Sequence, residues 1–233
     1  NVGASYDVST TSVRVTIVSS DSSLSFSWET AESSSGKPVS FAKNNSSSAK
    51  DNTLKFTEAG LYVVRVSVIQ AKQIVSTSTL SFQVNSVLTG LKITDSNGAA
   101  ASASKPIVTS ANSIQFSAAA VDQFGNPLST QPTIAWNVKA QPKGVTTNTT
   151  QTGNDFQVGV NSSGDYIFRA SSGTYFSDVS LKVSQVLTTL SLTDEAGSPL
   201  SADTPLSVSS TMARINLQGR DQFGNLMTTV PSL

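Results

Sequence analysis

A chain of 233 residues that balances 15 cationic against 15 anionic side chains, and has neither His nor Cys, excludes several function classes at once. It offers no imidazole base, no thiolate nucleophile, no disulfide and none of the usual zinc ligands. Charged residues make up 13% of the chain, about half of the ~25% usual in soluble proteins, so its surface is built from hydroxyls and amides rather than ions.

Along the chain the apolar residues alternate with polar ones. Val13, Val15 and Ile17 are followed by Leu24, Phe26 and Trp28, then Leu54 and Phe56, then Tyr62, Val64, Val66 and Val68, then Leu80, Phe82 and Val84. A period of two marks half-buried strands, and Ser, Gly and Asn separate them. Residues 58–74 read ambiguously until Gly60 and the β-branched side chains are weighed. The same grammar returns in Ile114, Phe116, Ala118 and Ala120, in Ile134, Trp136 and Val138, in Phe156, Val158 and Val160, in Tyr166, Phe168 and Ala170, and in Val179, Leu181 and Val183. The chain is read as all-β. No uninterrupted apolar run exceeds four residues, against ~20 for a membrane helix, so no membrane insertion is expected of this segment. Nor does the sequence open at Asn1 on a charged and then apolar leader, so any signal peptide is expected to be removed or to lie outside it.

Asp122-Gln123-Phe124-Gly125-Asn126 returns 99 positions later as Asp221-Gln222-Phe223-Gly224-Asn225. Val87, Leu88, Leu91, Asp95, Gly98 and Pro106 map onto Val186, Leu187, Leu190, Asp194, Gly197 and Pro205 at the same offset. A period near a hundred residues implies an array of small domains. The expected boundaries are 1–86, 87–185 and 186–233, the last being the front half of a further unit. These segments carry formal charges of +1, +1 and −2, and none presents the basic field that nucleic acid requires. The links at 83–87 and 183–186 hold no Pro/Gly-rich spacer, which predicts a restricted, end-to-end geometry and an extended rod.

About seven short strands per unit, a Trp on an early strand (Trp28, Trp136) and Gly-x-Tyr on a late one (Tyr62, Tyr166) form the pattern of an immunoglobulin-like sandwich. In that pattern the Tyr hydroxyl pins the neighbouring loop while its ring packs inside. The first unit, with Leu24-Ser-Phe-Ser-Trp28 and Glu58-Ala-Gly-Leu-Tyr62-Val-Val-Arg-Val66, resembles a PKD-type (polycystic kidney disease repeat) sandwich. The second unit and the fragment after it resemble bacterial immunoglobulin-like repeats, in which an alternating strand, Asp-x-Phe-Gly-Asn and a Trp strand follow one another. The resemblance implies tandem modules of a secreted or cell-surface protein: spacers, adhesin stalks or accessories beside hydrolases. It implies no catalytic residues, no cofactor, and partners among neighbouring repeats or subunits, with surface glycans as the alternative partner of an adhesive or carbohydrate-binding module.

Asp122 and Asn126, like Asp221 and Asn225, place oxygens at a turn where calcium could be sought. Calcium, however, takes six to eight oxygens, and no acidic cluster adjoins them. The structural reading is a turn in which Asp and Asn bond to their own backbone, Gly125 and Gly224 supply positive φ, and Phe124 and Phe223 plug a sandwich end. Asp95 and Asp194 are read as hairpin turns in the same way. Trp28 and Trp136 could be sugar platforms, but their phase with inward apolar neighbours places them in the core. Tyr175 and Phe176 break the alternation and form the best exposed aromatic pair; clustering with Tyr6 on one face would favour a binding module. Carboxylates are sparse and turn-associated, and no base is in view to activate a Ser or Thr, so no enzyme is expected. Asn44, Asn45, Asn148 and Asn161 head Asn-x-Ser/Thr sequons in expected loops and are acceptor sites if the chain is glycosylated.

Aligned on the second unit, residues 186–233 hold a first strand around Leu190 and Leu192 and a second around Ala213, Ile215 and Leu217, and then the turn. They contain no Trp strand and no Gly-x-Tyr strand. Half a sandwich leaves its apolar face uncovered, so either more of the same chain or a neighbouring subunit is expected to complete it.

Overall fold

The structure is a computed structural model that describes residues 5–203, 207 and 212–227. Pro205, one of the repeat-aligned positions, lies outside the described residues. All regular elements among the described residues are strands, apart from one 3-10 turn at Ser47–Lys50.

The first seven strands are β1 (Ser5–Val8), β2 (Ser12–Thr16), β3 (Ser25–Ser33), β4 (Ser40–Phe41), β5 (Asp51–Lys55), β6 (Gly60–Gln70) and β7 (Gln73–Val84). They form a four-stranded sheet in the order β1-β7-β6-β3 and a three-stranded sheet in the order β2-β5-β4. β1 runs parallel to β7, while the other named pairs are antiparallel. The alternation of the sequence is the reason for the sandwich: Phe26, Trp28, Tyr62, Val64, Phe82 and Leu54 all turn inward and are buried. The long β6–β7 hairpin closes over Ala71 and Lys72, with φ of 48° and 67°. The ambiguity over residues 58–74 thus resolves to a hairpin whose turn carries none of the residues that normally signal one.

Nine further strands follow: β8 (Gly90–Asp95), β9 (Ala100–Ala101), β10 (Ile107–Thr109), β11 (Ser113–Val121), β12 (Ala135–Ala140), β13 (Asn148–Thr152), β14 (Asp155–Gly159), β15 (Gly164–Ser172) and β16 (Tyr175–Val183). Their sheets run β10-β16-β15-β12 and β13-β14-β11-β8-β9. The plan matches the first sandwich strand for strand, with β10 parallel to β16 as β1 is to β7, and gains β8 and β9 outside β11. The core holds Phe116, Trp136, Phe156, Tyr166, Phe168 and Leu181, with Trp136 stacked on Phe156 at 4.8 Å between ring centroids. Gly164 opens β15 with φ of 136°; a Cβ there would lie 2.6 Å from Pro142 Cγ, so the approach of that loop requires glycine. Both assemblies are immunoglobulin-like β-sandwiches.

β17 (Leu187–Thr193), β18 (Pro199–Leu200) and β19 (Asn216–Asp221) make a third sheet in the order β18-β17-β19. The second strand expected around Ala213 and Ile215 begins instead at Asn216, so only Leu217 of the three belongs to it.

Contacts divide the described chain into two compact units. One takes the residues up to Gly90 and Ala120–Gln131; the other takes Leu91–Ala119 and the residues from Pro132 on. The turn at Asp122–Asn126 is second-repeat by sequence but first-unit by packing, because Phe124 lies against the Trp28 core.

Candidate functional site

The two Asp-Gln-Phe-Gly-Asn turns are densely bonded polar features among the described residues. In each, the Asp closes the loop with its own carboxylate. Asp122 Oδ1 accepts the N–H of Phe124 at 2.9 Å and of Asn126 at 3.0 Å; Asp221 Oδ1 accepts those of Phe223 at 3.0 Å and Asn225 at 2.9 Å. Gly125 and Gly224 take φ of 80° and 81°, which lets the chain reverse within four residues. Both Asp side chains are buried, so these bonds are shielded from water.

The Gln of each turn does what the sequence reading assigned to no residue. Gln123 accepts the Val87 N–H at 2.9 Å through Oε1 and donates Nε2–H to the Asn85 carbonyl at 2.7 Å. Gln222 repeats this 99 residues on, accepting from Val186 at 2.8 Å and donating to Ser184 at 2.7 Å, with a second acceptor in the Ser110 carbonyl at 3.2 Å. The connecting segment is therefore paired by a carboxamide as if by another strand. Thr89 Oγ1 adds a bond to the Asp122 carbonyl at 2.7 Å, and Thr188 Oγ1 one to the Arg220 carbonyl at 3.1 Å. Phe124 rests against the core of the first unit and Phe223 against that of the second. Recurrence of Gln at the 99-residue offset was the available signal; its role needed the fold.

The same device appears elsewhere. Asn44 Oδ1 accepts the Trp28 N–H at 2.7 Å while its Nδ2 donates to the Trp28 carbonyl at 2.8 Å. Asn52 clamps Lys43, Gln131 clamps Ala120, and Gln151 joins the Trp136 N–H to the Ile134 carbonyl. Of the sequon residues, Asn44 is thus engaged with a strand backbone. Asn45 sits at φ of 53°, Asn148 lies exposed on β13, and the exposed Asn161 offers its carbonyl to Asn225 Nδ2 at 3.2 Å.

Tyr62 Oη donates to the Glu58 carbonyl at 2.9 Å, and Tyr166 Oη to the Ser162 carbonyl at 2.7 Å, each four residues upstream. Both rings are fully buried, and burial pushes the Tyr166 phenol up from its ordinary value. Trp28 and Trp136 are buried at 2% and 8% exposure, with indole N–H groups bonded to the Ala49 and Asn154 carbonyls. Tyr175 and Phe176 are exposed, at 38% and 57%, and the Arg169 guanidinium lies 3.9 Å over the Phe176 ring while also paired with Asp178. Tyr6 belongs to the other unit and stacks on Phe82. The three aromatics are thus divided between units rather than gathered in one.

Electrostatics are sparse. The Arg14 hydrogen bond holds the Asp51 carboxyl down at about 2, and Arg169 lowers that of Asp178. Among the described residues no group of three or more acidic side chains could hold a metal ion, and no helix is long and apolar enough to cross a membrane.

No family model matches the chain, and no curated protein matches it. Among solved structures it is similar to domains 4-9 of the surface layer protein SbsC, at 13% identity over 90% of this chain and 30% of that one, with a TM-score of 0.32. It is also similar to the D00-D0 domain of intimin (14% identity, 76% and 92% covered, TM-score 0.41). A third is invasin, a bacterial integrin-binding protein (17% identity, 78% and 37% covered, TM-score 0.35). The chain spans 30% and 24% of the two longer surface-layer structures, domains 4-9 and the 31-844 fragment of SbsC.

Proposed function

We propose that this chain is a non-enzymatic structural stretch of an extracellular, cell-surface stalk or filament, in which immunoglobulin-like modules are strung in tandem as an extended rod. The observation that carries the reading is the duplicated turn. Its Asp closure, its Gln clamp on the connecting segment and its Phe plug recur bond for bond at one offset. Such a turn secures a chain segment and offers no reacting group. Buried aromatics anchored through their polar ends serve persistence better than turnover. Its partners on this reading are neighbouring repeats or subunits.

Small-angle scattering on the full chain tests the rod: the expected pair-distance distribution is skewed with a long tail, and a symmetric, globular one refutes it. A second reading, adhesive or carbohydrate-directed, draws on the exposed Tyr175-Phe176 pair. A glycan array probed with the wild type and a Tyr175→Ala/Phe176→Ala variant separates the two. Binding lost in the variant establishes the second reading, and an array silent for both leaves the structural one.

A further inference from the structure

The reversal between β8 and β9 carries the chain's single Asn-Gly pair, Asn97-Gly98. Asp95 closes this turn much as Asp122 and Asp221 close theirs. Its Oδ1 accepts the N–H of Asn97 and of Ala99, each at 2.9 Å, and its carbonyl accepts the Gly98 N–H at 3.0 Å. Its own N–H donates to the Ala99 carbonyl at 3.0 Å. Gly98 takes φ of 76°, and a Cβ there would meet no atom within 4 Å, so the space around it is open. Residues 96–100 are all exposed. The Asn97 carboxamide, unlike those of Asn44, Asn52 and the Gln clamps, has no hydrogen-bond partner among the described residues. A free primary amide followed by a backbone nitrogen with no Cβ beside it is the arrangement in which ring closure between the two meets least steric resistance.

The third sheet holds the same turn without the reactive pair. Asp194, Ala196 and Gly197 stand at the 99-residue offset from Asp95, Asn97 and Gly98. Asp194 Oδ1 accepts the Ser198 N–H at 2.8 Å, its carbonyl accepts the Gly197 N–H at 3.1 Å, and Gly197 takes φ of 87°. The turn therefore forms with Ala where Asn97 stands, and the fold does not require the carboxamide.

We propose that Asn97 is a site of spontaneous deamidation, which converts this turn to isoaspartate at a rate that Asp95 sets. Hydroxide removes the Gly98 amide proton and the nitrogen attacks Asn97 Cγ; the Cγ–Nδ2 bond breaks, and Nδ2 leaves as ammonia with a proton from water. Water then opens the five-membered imide. Cleavage at Cγ restores the peptide with Asp at 97. Cleavage at the Asn97 backbone carbonyl carries the main chain through Cβ and Cγ, one methylene longer, and frees an α-carboxylate. While Asp95 holds the N–H groups of Asn97 and Gly98, that nitrogen is kept off the path, so the turn slows the reaction. The lengthened chain cannot keep both Asp95–Ala99 bonds. The two-residue β9 then loses its register on β8, and Ala101 leaves the second core. The reaction does not depend on where the protein is displayed.

Incubation of the folded full chain in heavy-oxygen water near neutral pH, followed by peptide mass spectrometry and an isoaspartyl methyl-transfer assay, tests this. Asn97 is expected to take up label faster than every other Asn, including Asn45, Asn85, Asn112 and Asn161, which precede Ser, and to yield more isoaspartate than aspartate. Asp95→Ala is expected to raise the rate several-fold, while Asp95→Asn, whose side-chain oxygen still accepts both N–H groups, keeps it near that of the wild type. Should Asp95→Ala lose its native circular dichroism, wild-type protein unfolded in urea replaces it and is expected to react several-fold faster than the folded chain. In hydrogen exchange, aged wild type is expected to lose protection over residues 99–101, and aged Asn97→Ala to keep it. Label that enters an Asn-Ser pair but not Asn97, an opened turn that reacts no faster than the intact one, or unchanged protection in the converted protein each overturns the proposal.

Discussion

The assignment of Phe124 to the first unit, against its place in the sequence repeat, makes a prediction that no reading by repeat boundaries would make. Replacing a fully buried Phe by Ala costs about 3–5 kcal/mol. Phe124 is only half-buried at the edge of the Trp28 core, so roughly half of that, about 2 kcal/mol, is expected for Phe124→Ala. For a unit of this size that corresponds to a fall in Tm of roughly 8–16 °C. The assay is urea unfolding followed by fluorescence in backgrounds that keep one indole at a time: Trp136→Phe leaves Trp28 to report the first unit, and Trp28→Phe leaves Trp136 to report the second. Phe124→Ala is expected to move the Trp28 transition and leave the Trp136 transition within about 0.5 kcal/mol. Phe223→Ala, packed against the other core, is expected to do the reverse. A Phe124→Ala variant that shifts Trp136 and spares Trp28 would show that the turn stabilises its own repeat and would refute the reasoning.

Four further outcomes follow from single observations. Tyr166→Phe removes the bond to the Ser162 carbonyl but keeps the buried ring, so a loss of about 1 kcal/mol in urea melts is expected, and no loss would mean that the hydroxyl pins nothing. Ala71→Asn with Lys72→Gly gives the β6–β7 hairpin residues that tolerate positive φ, and is expected to raise stability by about 1–2 kcal/mol; a fall in the thermal midpoint would contradict the turn geometry. Asp51, held at about 2, and Asp178, also lowered, have folded values below the unfolded one. Their contribution is thus fully present above about pH 5 and is lost as pH falls from ~4 towards 2. The thermal midpoint is expected to decline over that window, less so in Asp178→Asn, and a flat profile would count against both ion pairs. Millimolar calcium and EDTA are both expected to leave the midpoint unchanged, since the Asp122 and Asp221 oxygens already accept backbone N–H groups; a calcium-induced rise reversed by chelator would overturn the turn as a purely structural device.

The all-β class and the phase of the core were legible because a two-residue period is a local signal. Trp28, Tyr62, Trp136 and Tyr166 face inward together with Phe26, Val64, Ile134 and Phe168, although Val138, the other neighbour in phase with Trp136, is exposed. The Asp–Gly reversal was legible for the same reason, since its bonds span no more than four residues. What escaped was set by distant contacts. Nothing near Phe124 says which core receives it, and nothing near Gln123 says that its carboxamide meets Asn85 and Val87, more than thirty residues earlier. Ala71-Lys72 escaped for the opposite reason: the turn is local, but the long β6–β7 ladder imposes it on residues with no preference for it.

The carboxamide clamps also explain a composition that is poor in charge. Asn and Gln carry the same N–H and C=O pair as a peptide unit, so one side chain can stand in for a strand residue where the chain itself turns away. Fixing such a side chain costs up to about 2 kcal/mol of rotamer freedom, whereas two unmet backbone groups in a half-buried edge cost about 1–3 kcal/mol each, so the exchange is favourable wherever both groups of the backbone are met. That condition holds for Asn44, Asn52, Gln123, Gln131, Gln151 and Gln222, each of which both donates and accepts. A single charged side chain at the same place could meet only one of the two groups, a carboxylate the donor or an ammonium the acceptor, and its attraction would weaken with salt. A carboxamide meets both groups with one neutral side chain, so its hold on the backbone does not depend on a charge being present.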